Sequence, residues 1–220
     1  MSQRENLSPE YLTINPNGSV PTLVAHYPVK ENGKLVITQS MAALEFLEET
    51  FGNRQLLPFG WNFGNKKPDI PLWINSTRRA RVRQLANLIA CDIQPPQNLR
   101  VRTEIQALGG NAGEYAQHMI MRGLSVYEKL VAGYRMKSAE RENGDHDKDV
   151  FSVGSKVTIA DVCLVPMVQG AIRNSVNIGQ FPTIKDIFVA CMRMKEFQEG
   201  GLLENEEPVG MEQMKSWDEK

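Results

Sequence analysis

The sequence predicts an α/β segment followed by an all-helical domain, on three observations. Two β-prone runs, residues 22–27 and 35–38, flank an Asn32-Gly33 pair, and Asn-Gly between such runs is a strong hairpin signal. From about residue 77 the apolar residues recur at helical spacing, as in a bundle. The stretch V-T-I-A-D-V-C-L-V-P, residues 157–166, sets Thr158 and Asp161 three apart, the reciprocal pair of a helix-opening capping box. A chain of 220 residues is long enough for one large domain or two small ones. The expected boundaries are 1–55 for the α/β part, 56–76 for a linker and 77–220 for the helical domain.

Taken in order, the stretch N-P-N-G-S-V-P-T-L-V, residues 15–24, places Pro21 at the mouth of the first strand. Proline has no N–H for a ladder, so it belongs at a strand's first residue, an edge or a bulge. After the hairpin a helix runs from about Ser40 to Glu49, with Met41, Leu44, Phe46 and Leu47 on its apolar face and Gly52 just beyond its end. Pro58, Gly60, Gly64, Pro68 and Pro71 break every periodicity in the linker, while Trp61 and Phe63 imply that part of it packs down. Val82, Leu85, Leu88 and Ile89 predict a helix over 77–92, which Pro95-Pro96 kinks or ends. A second long helix is expected over 114–131. The charged run at 137–149, almost free of apolar residues, reads as a mobile surface insertion. Beyond the Thr158 cap the sequence is apolar nearly all round, the mark of a helix at the centre of a bundle. Phe181-Pro182-Thr183 starts a last amphipathic helix with Ile184, Ile187, Phe188 and Cys191 facing inward.

Bulk properties exclude several classes of function. A formal net charge of −1 gives no global field for nucleic acid or an anionic membrane. No run approaches the roughly 18 apolar residues that span a bilayer. Cys91, Cys163 and Cys191 are odd in number and lack a C-x-x-C spacing, and His26, His118 and His146 form no ligand pair. These features predict no disulfide framework, no metal site and a reducing, cytoplasmic setting. Cys91, three residues after Leu88, reads as an inert buried thiol, and R-R-A-R-V-R at 78–83 as a solvated helix face.

The ordered set S-V-P-T-L, Q-S-M-A-A-L-E-F-L-E-E, D-I-Q-P-P-Q-N-L and V-T-I-A-D-V-C-L-V-P-M-V resembles the cytosolic glutathione transferases. Within them it is most similar to the zeta class, the maleylacetoacetate isomerases of phenylalanine and tyrosine breakdown. The likeness runs from about residue 7 to 208, interrupted near 59–75 and 137–149. It implies a thioredoxin-like N-terminal domain, here in shortened form, and an all-helical glutathione-transferase C-terminal domain. It also implies glutathione as cofactor, a small electrophilic substrate and a homodimer. The family opens with a β-α-β unit carrying a Ser-Ser-Cys-Ser-x-x-Arg type motif that settles the glutathione thiolate. No such motif stands in the sequence, so no catalytic residue is assigned, and the chain is expected to be a shortened version of a full-length enzyme. The implied reaction is glutathione-dependent cis–trans isomerisation of maleylacetoacetate to fumarylacetoacetate, with transferase activity on small electrophiles. The alternative is a glutathione-transferase-like binding or dimerisation module with impaired catalysis.

The resemblance assigns roles residue by residue. Val20 and Pro21 would form a cis peptide at which the Val20 backbone pairs with glutathione like an added strand; the alternative is a proline that only marks a strand start. Gln39 and Ser40 would receive the γ-glutamyl carboxylate at a helix start, where N–H groups and the helix dipole attract anions; the alternative is a serine that only caps. Gln94 and Asn98 are implied on the ligand side, or else satisfy a helix end. Asn6 takes the place of a family glutamine near the glycyl end. Arg173 in G-A-I-R-N is implied at the substrate pocket, where a guanidinium suits a carboxylate.

Overall fold

The computed structural model describes residues 5–26, 33–51, 56–58, 72–139 and 150–200. The chain divides into two compact units, 1–55 and 56–220. The expected Asn32 turn position, Gly52, Trp61, Phe63 and most of the charged run at 137–149 lie outside the described residues.

In the first unit a single 3-10 turn, Glu5–Leu7, leads into helix α1, Pro9–Ile14. This helix was not expected, although its signals are local. Ser8 caps it by accepting from the Tyr11 N–H, and Pro9 takes the first helical position, where a missing N–H costs nothing. Strands β1, Thr22–His26, and β2, Lys34–Thr38, form an antiparallel pair in the register Thr22↔Thr38 through His26↔Lys34. Helix α2, Ser40–Thr50, follows β2 directly.

The second unit is a bundle of helices. Helix α3, Leu72–Asn87, begins five residues before the expected Thr77 and continues without a break into a π-helical turn, Leu88–Ile93. A 3-10 turn, Pro95–Gln97, leads to helix α4, Leu99–Ala107, which was also not expected. That helix stops at Gly109, whose φ of +80° favours glycine, and the Gly110 N–H bonds back to the Ile105 carbonyl. Helix α5, Ala112–Ala139, runs eight residues past its expected end and is capped by the Asn111 side chain, which accepts from Gly113 and Glu114. Helices α6, Ile159–Arg173, α7, Pro182–Met192, and α8, Lys195–Gly200, complete the bundle.

The core of this unit is built from one face each of α3, α5 and α7 around α6. Val82, Leu85 and Ala86 of α3, Ile120, Leu124 and Tyr127 of α5, and Ile184, Ile187 and Phe188 of α7 are all fully enclosed. Each large apolar side chain so buried contributes about 1.5–3 kcal/mol. Helix α6 buries nine of its fifteen residues, as expected of a central helix.

Two buried polar devices fix helix starts. The Asp161 carboxylate accepts from the Thr158 N–H and hydroxyl through Oδ2, each at 2.8 Å, and from the Ser152 N–H through Oδ1 at 2.8 Å. The Asp161 N–H in return meets the Thr158 side chain, and lies 3.0 Å from the Thr158 carbonyl as well. The capping pair expected from sequence is therefore present, and the carboxylate carries most of it. At α7 the N-cap is Phe181, which has no capping side chain. Glu128 of α5 does that work from 55 residues away, accepting from the Thr183 and Ile184 N–H groups at 2.8 and 2.9 Å. A carboxylate there also suits the positive end of the helix dipole.

Two expectations are corrected. Cys91 is exposed, not buried. The π turn changes the helical register, so Ile89 and Ile93 face the core and Cys91 faces out. Burial pushes the thiols of Cys163, to about 11, and Cys191 upward, so Cys91 is the accessible thiol of the three. The arginines at 78–83 are not simply solvated either. Arg79 Nη1 donates to the Pro58 carbonyl at 2.8 Å, and Arg81 lies 4.5 Å over the Tyr134 ring.

Candidate functional site

The hairpin register decides where the first candidates meet. Thr22 pairs with Thr38 at the end of the ladder, so the next positions outward are Pro21 on one strand and Gln39 on the other. Val20-Pro21 and Gln39-Ser40 therefore share one end of the hairpin. The Val20–Pro21 peptide is cis. Val20, at 46% exposure, is open to solvent, as are Pro21, Gln39 and Ser40.

Gln39 occupies the N-cap of α2 with φ 77° and ψ 119°, and its side chain makes no cap hydrogen bond. A left-handed φ costs a non-glycine residue about 1–3 kcal/mol, and such strain collects at functional sites. Ser40 is the first helical residue rather than the cap. Its hydroxyl is thus placed among the first N–H groups of α2, at the positive end of the helix dipole.

The loop that carries the cis peptide is pinned from beneath by residues that sequence reasoning passed over. Asn15 is 1% exposed. Its Nδ2 donates to the Ser19 carbonyl at 2.7 Å and to Thr22 Oγ1 at 3.0 Å, while its Oδ1 accepts from the Asn17 N–H at 3.1 Å. The Tyr11 hydroxyl donates to the same Ser19 carbonyl at 2.6 Å and lies 2.7 Å from Thr22 Oγ1. Asn6 Nδ2 donates to the Gly18 carbonyl at 2.6 Å, so its amide is engaged within the unit. The motif N-P-N-G could have signalled the Asn15–Asn17 turn, but nothing local marks Asn15 as buried.

In the helical unit Gln94 and Asn98 come together. Gln94 Nε2 donates to Asn98 Oδ1 at 2.8 Å, and both residues are exposed. That bond uses one N–H of Gln94 and one lone pair of Asn98, so the pair keeps further donor and acceptor capacity. Gln97 braces the turn by donating to the Ile93 carbonyl at 2.6 Å, with its Nε2 also 3.6 Å from the Met167 sulfur on α6. Arg173 is the exposed last residue of α6, about 9 Å further along the helix axis than Met167. Among the described residues no group of three or more His, Cys, Asp and Glu side chains could hold a metal ion. No helix among them is long and apolar enough to cross a membrane.

Known proteins place this architecture. Residues 1–49 match the family described as Glutathione S-transferase, N-terminal domain. A maleylacetoacetate isomerase of Emericella nidulans is 37% identical over 196 residues, covering 89% of this chain and 75% of that protein. A holo structure of maleyl pyruvate isomerase, a bacterial glutathione S-transferase in the zeta class, is 28% identical with a TM-score of 0.68, covering 90% of this chain and 80% of that one. A maleylacetoacetate isomerase from Anaeromyxobacter dehalogenans, with bound dicarboxyethyl glutathione and citrate in the active site, is 31% identical with a TM-score of 0.64, covering 88% and 74%. Sequence and fold thus agree with the order of motifs, and the chain belongs to the zeta-class glutathione transferases, the family of the maleylacetoacetate isomerases.

Proposed function

We propose that this chain binds glutathione and serves the glutathione-dependent cis–trans isomerisation of maleylacetoacetate to fumarylacetoacetate. The observation that carries the reading is the shared end of the hairpin, where the exposed Val20 backbone stands beside an exposed helix start bearing Ser40. These groups fit a tripeptide. An extended peptide can pair with the Val20 backbone as an added strand, and its α-carboxylate can take the Ser40 hydroxyl and the first-turn N–H groups of α2. Gln39 supports the amide or ammonium of the γ-glutamyl group. In the helical unit the Gln94–Asn98 amides are assigned to glutathione's polar groups, and Arg173 to a carboxylate of the substrate.

Glutathione held there would supply the thiol nucleophile that reversible addition to the substrate's conjugated double bond requires. The residues named here bind and orient; none of them is assigned to the thiolate itself. The relative that holds a dicarboxyethyl conjugate supports a ligand with acidic groups beyond those of glutathione. Transferase activity on small electrophiles follows from the same binding. The family resemblance supports a homodimer, and three cysteines outside any disulfide support a cytoplasmic setting.

Isothermal titration with glutathione tests the reading. The wild type gives saturable heat, and Ser40→Ala raises Kd by about tenfold through loss of a charge-assisted hydrogen bond. No heat at millimolar ligand would favour an assembly module that has given up the cofactor.

A further inference from the structure

Helix α3 does not end like an ordinary helix. At Leu88–Ile93 it widens into a π turn, closed by the Gln94 N–H on the Ile89 carbonyl, five residues back, at 2.9 Å. Such turns are rare and frequently mark functional sites. Here the turn drives Ile93 fully into the core while Gln94, the next residue, is exposed. The carbonyl of Ile93 also anchors Gln97. The seat of Ile93 therefore sets the position of the Gln94–Asn98 pair.

That seat exists because position 123 on the facing helix α5 is glycine. A Cβ added at Gly123 would overlap Ile93 Cγ1, lie 2.6 Å from its Cδ1 and stand only 3.2 Å from its Cβ. Ile93 is fully buried and β-branched, so its Cγ1 has no free rotamer to swing into and the turn has to retreat, whereas the Cβ contact by itself asks for only a slight shift. Glycine in mid-helix is unfavourable by about 1 kcal/mol relative to alanine, so propensity does not account for it. Close packing does.

We propose that Gly123 is a positioning residue. As a notch in α5 it admits Ile93, holds the π turn and so presents Gln94 and Asn98 to the ligand. The proposal rests on the assignment of those amides to glutathione, and its test separates the two. Three variants, Gln94→Ala, Gly123→Ala and Gly123→Ala/Ile93→Ala, are titrated with glutathione, and amide hydrogen exchange is followed at Gln94. Gln94→Ala is expected to weaken binding by about tenfold, the worth of one good hydrogen bond to a charged ligand. Gly123→Ala should match it and speed exchange at Gln94. The double variant removes most of the overlap, leaving only the 3.2 Å Cβ contact, and should recover binding and protection; it carries the test if Gly123→Ala alone does not fold. If Gln94→Ala weakens binding while Gly123→Ala binds as the wild type with unchanged exchange, the notch is refuted. If Gln94→Ala binds as the wild type, the ligand assignment fails, and the proposal falls with it.

Discussion

Asp161→Ala unfolds the helical unit well below the wild-type denaturant midpoint, a loss of about 3–5 kcal/mol. The carboxylate is fully buried and accepts from the backbone N–H groups of the buried residues Ser152 and Thr158 as well as from the Thr158 hydroxyl. Alanine strands both donors in a dry interior, where each unsatisfied group costs about 1–3 kcal/mol. It also unties the segment before α6 from the helix that forms the centre of the bundle. Asp161→Asn keeps one side-chain oxygen and loses less. The pH dependence separates the two forms of the group. Burial raises the Asp161 carboxyl above its ordinary range, against the lowering effect of the Ser152 and Thr158 bonds. A raised folded value means that the folded protein holds the proton more tightly than the unfolded chain. The resulting stabilisation is complete below the unfolded carboxylate range and is lost as pH rises through the folded value. The wild type's advantage over Asp161→Asn is therefore larger in acid than at neutral pH, as urea unfolding at several pH values would show.

Asn15→Asp is more damaging than Asn15→Ala, although aspartate is nearly the same shape. Asn15 Nδ2 donates to the Ser19 carbonyl and to Thr22 Oγ1, and a carboxylate would set a charge against the carbonyl oxygen instead. Alanine loses these bonds but introduces no repulsion. The Ser19 carbonyl then keeps the Tyr11 hydroxyl, and Gly18 keeps Asn6 and its backbone bond to Asn15, but the buried amide that ties Ser19 to Thr22 is gone. Because Val20 follows Ser19 directly, loosening the loop blurs the backbone edge assigned to glutathione. Asn15→Ala is expected to raise the glutathione Kd by about tenfold, and Asn15→Asp by more. Both should speed amide exchange along Thr22–His26. Equal binding by all three proteins would remove Asn15 from the account.

What the sequence made legible is what short-range chemistry determines. The hairpin, the Thr158–Asp161 cap and the inward face of α7 depend on residues within a few positions of one another, and periodicity or capping rules find them. Helix α1 is equally local in its signals, a Ser8 cap with Pro9 at the first helical position. The π turn was not legible, because the room that Ile93 occupies lies at Gly123, thirty positions on, where a side chain is missing. The same register change turned Cys91 outward against expectation. Glu128 and Asn15 follow the same logic. Each looks like an ordinary surface residue in sequence, yet one caps a helix 55 residues away and the other lies sealed beneath a loop. The candidate site was readable at Val20, Pro21, Gln39 and Ser40 through the order of motifs; the groups that hold those residues in place required tertiary structure.

The central claim is that the hairpin end grips glutathione through the Val20 backbone and the start of α2. A titration of isotopically labelled protein with glutathione, followed by amide chemical shifts, tests it most directly. The account predicts saturable shifts at Val20, Gln39 and Ser40 that share one binding constant, and no comparable change at Lys34 or His26 at the opposite end of the ladder. Saturable shifts elsewhere in the chain with these three amides unmoved would contradict it.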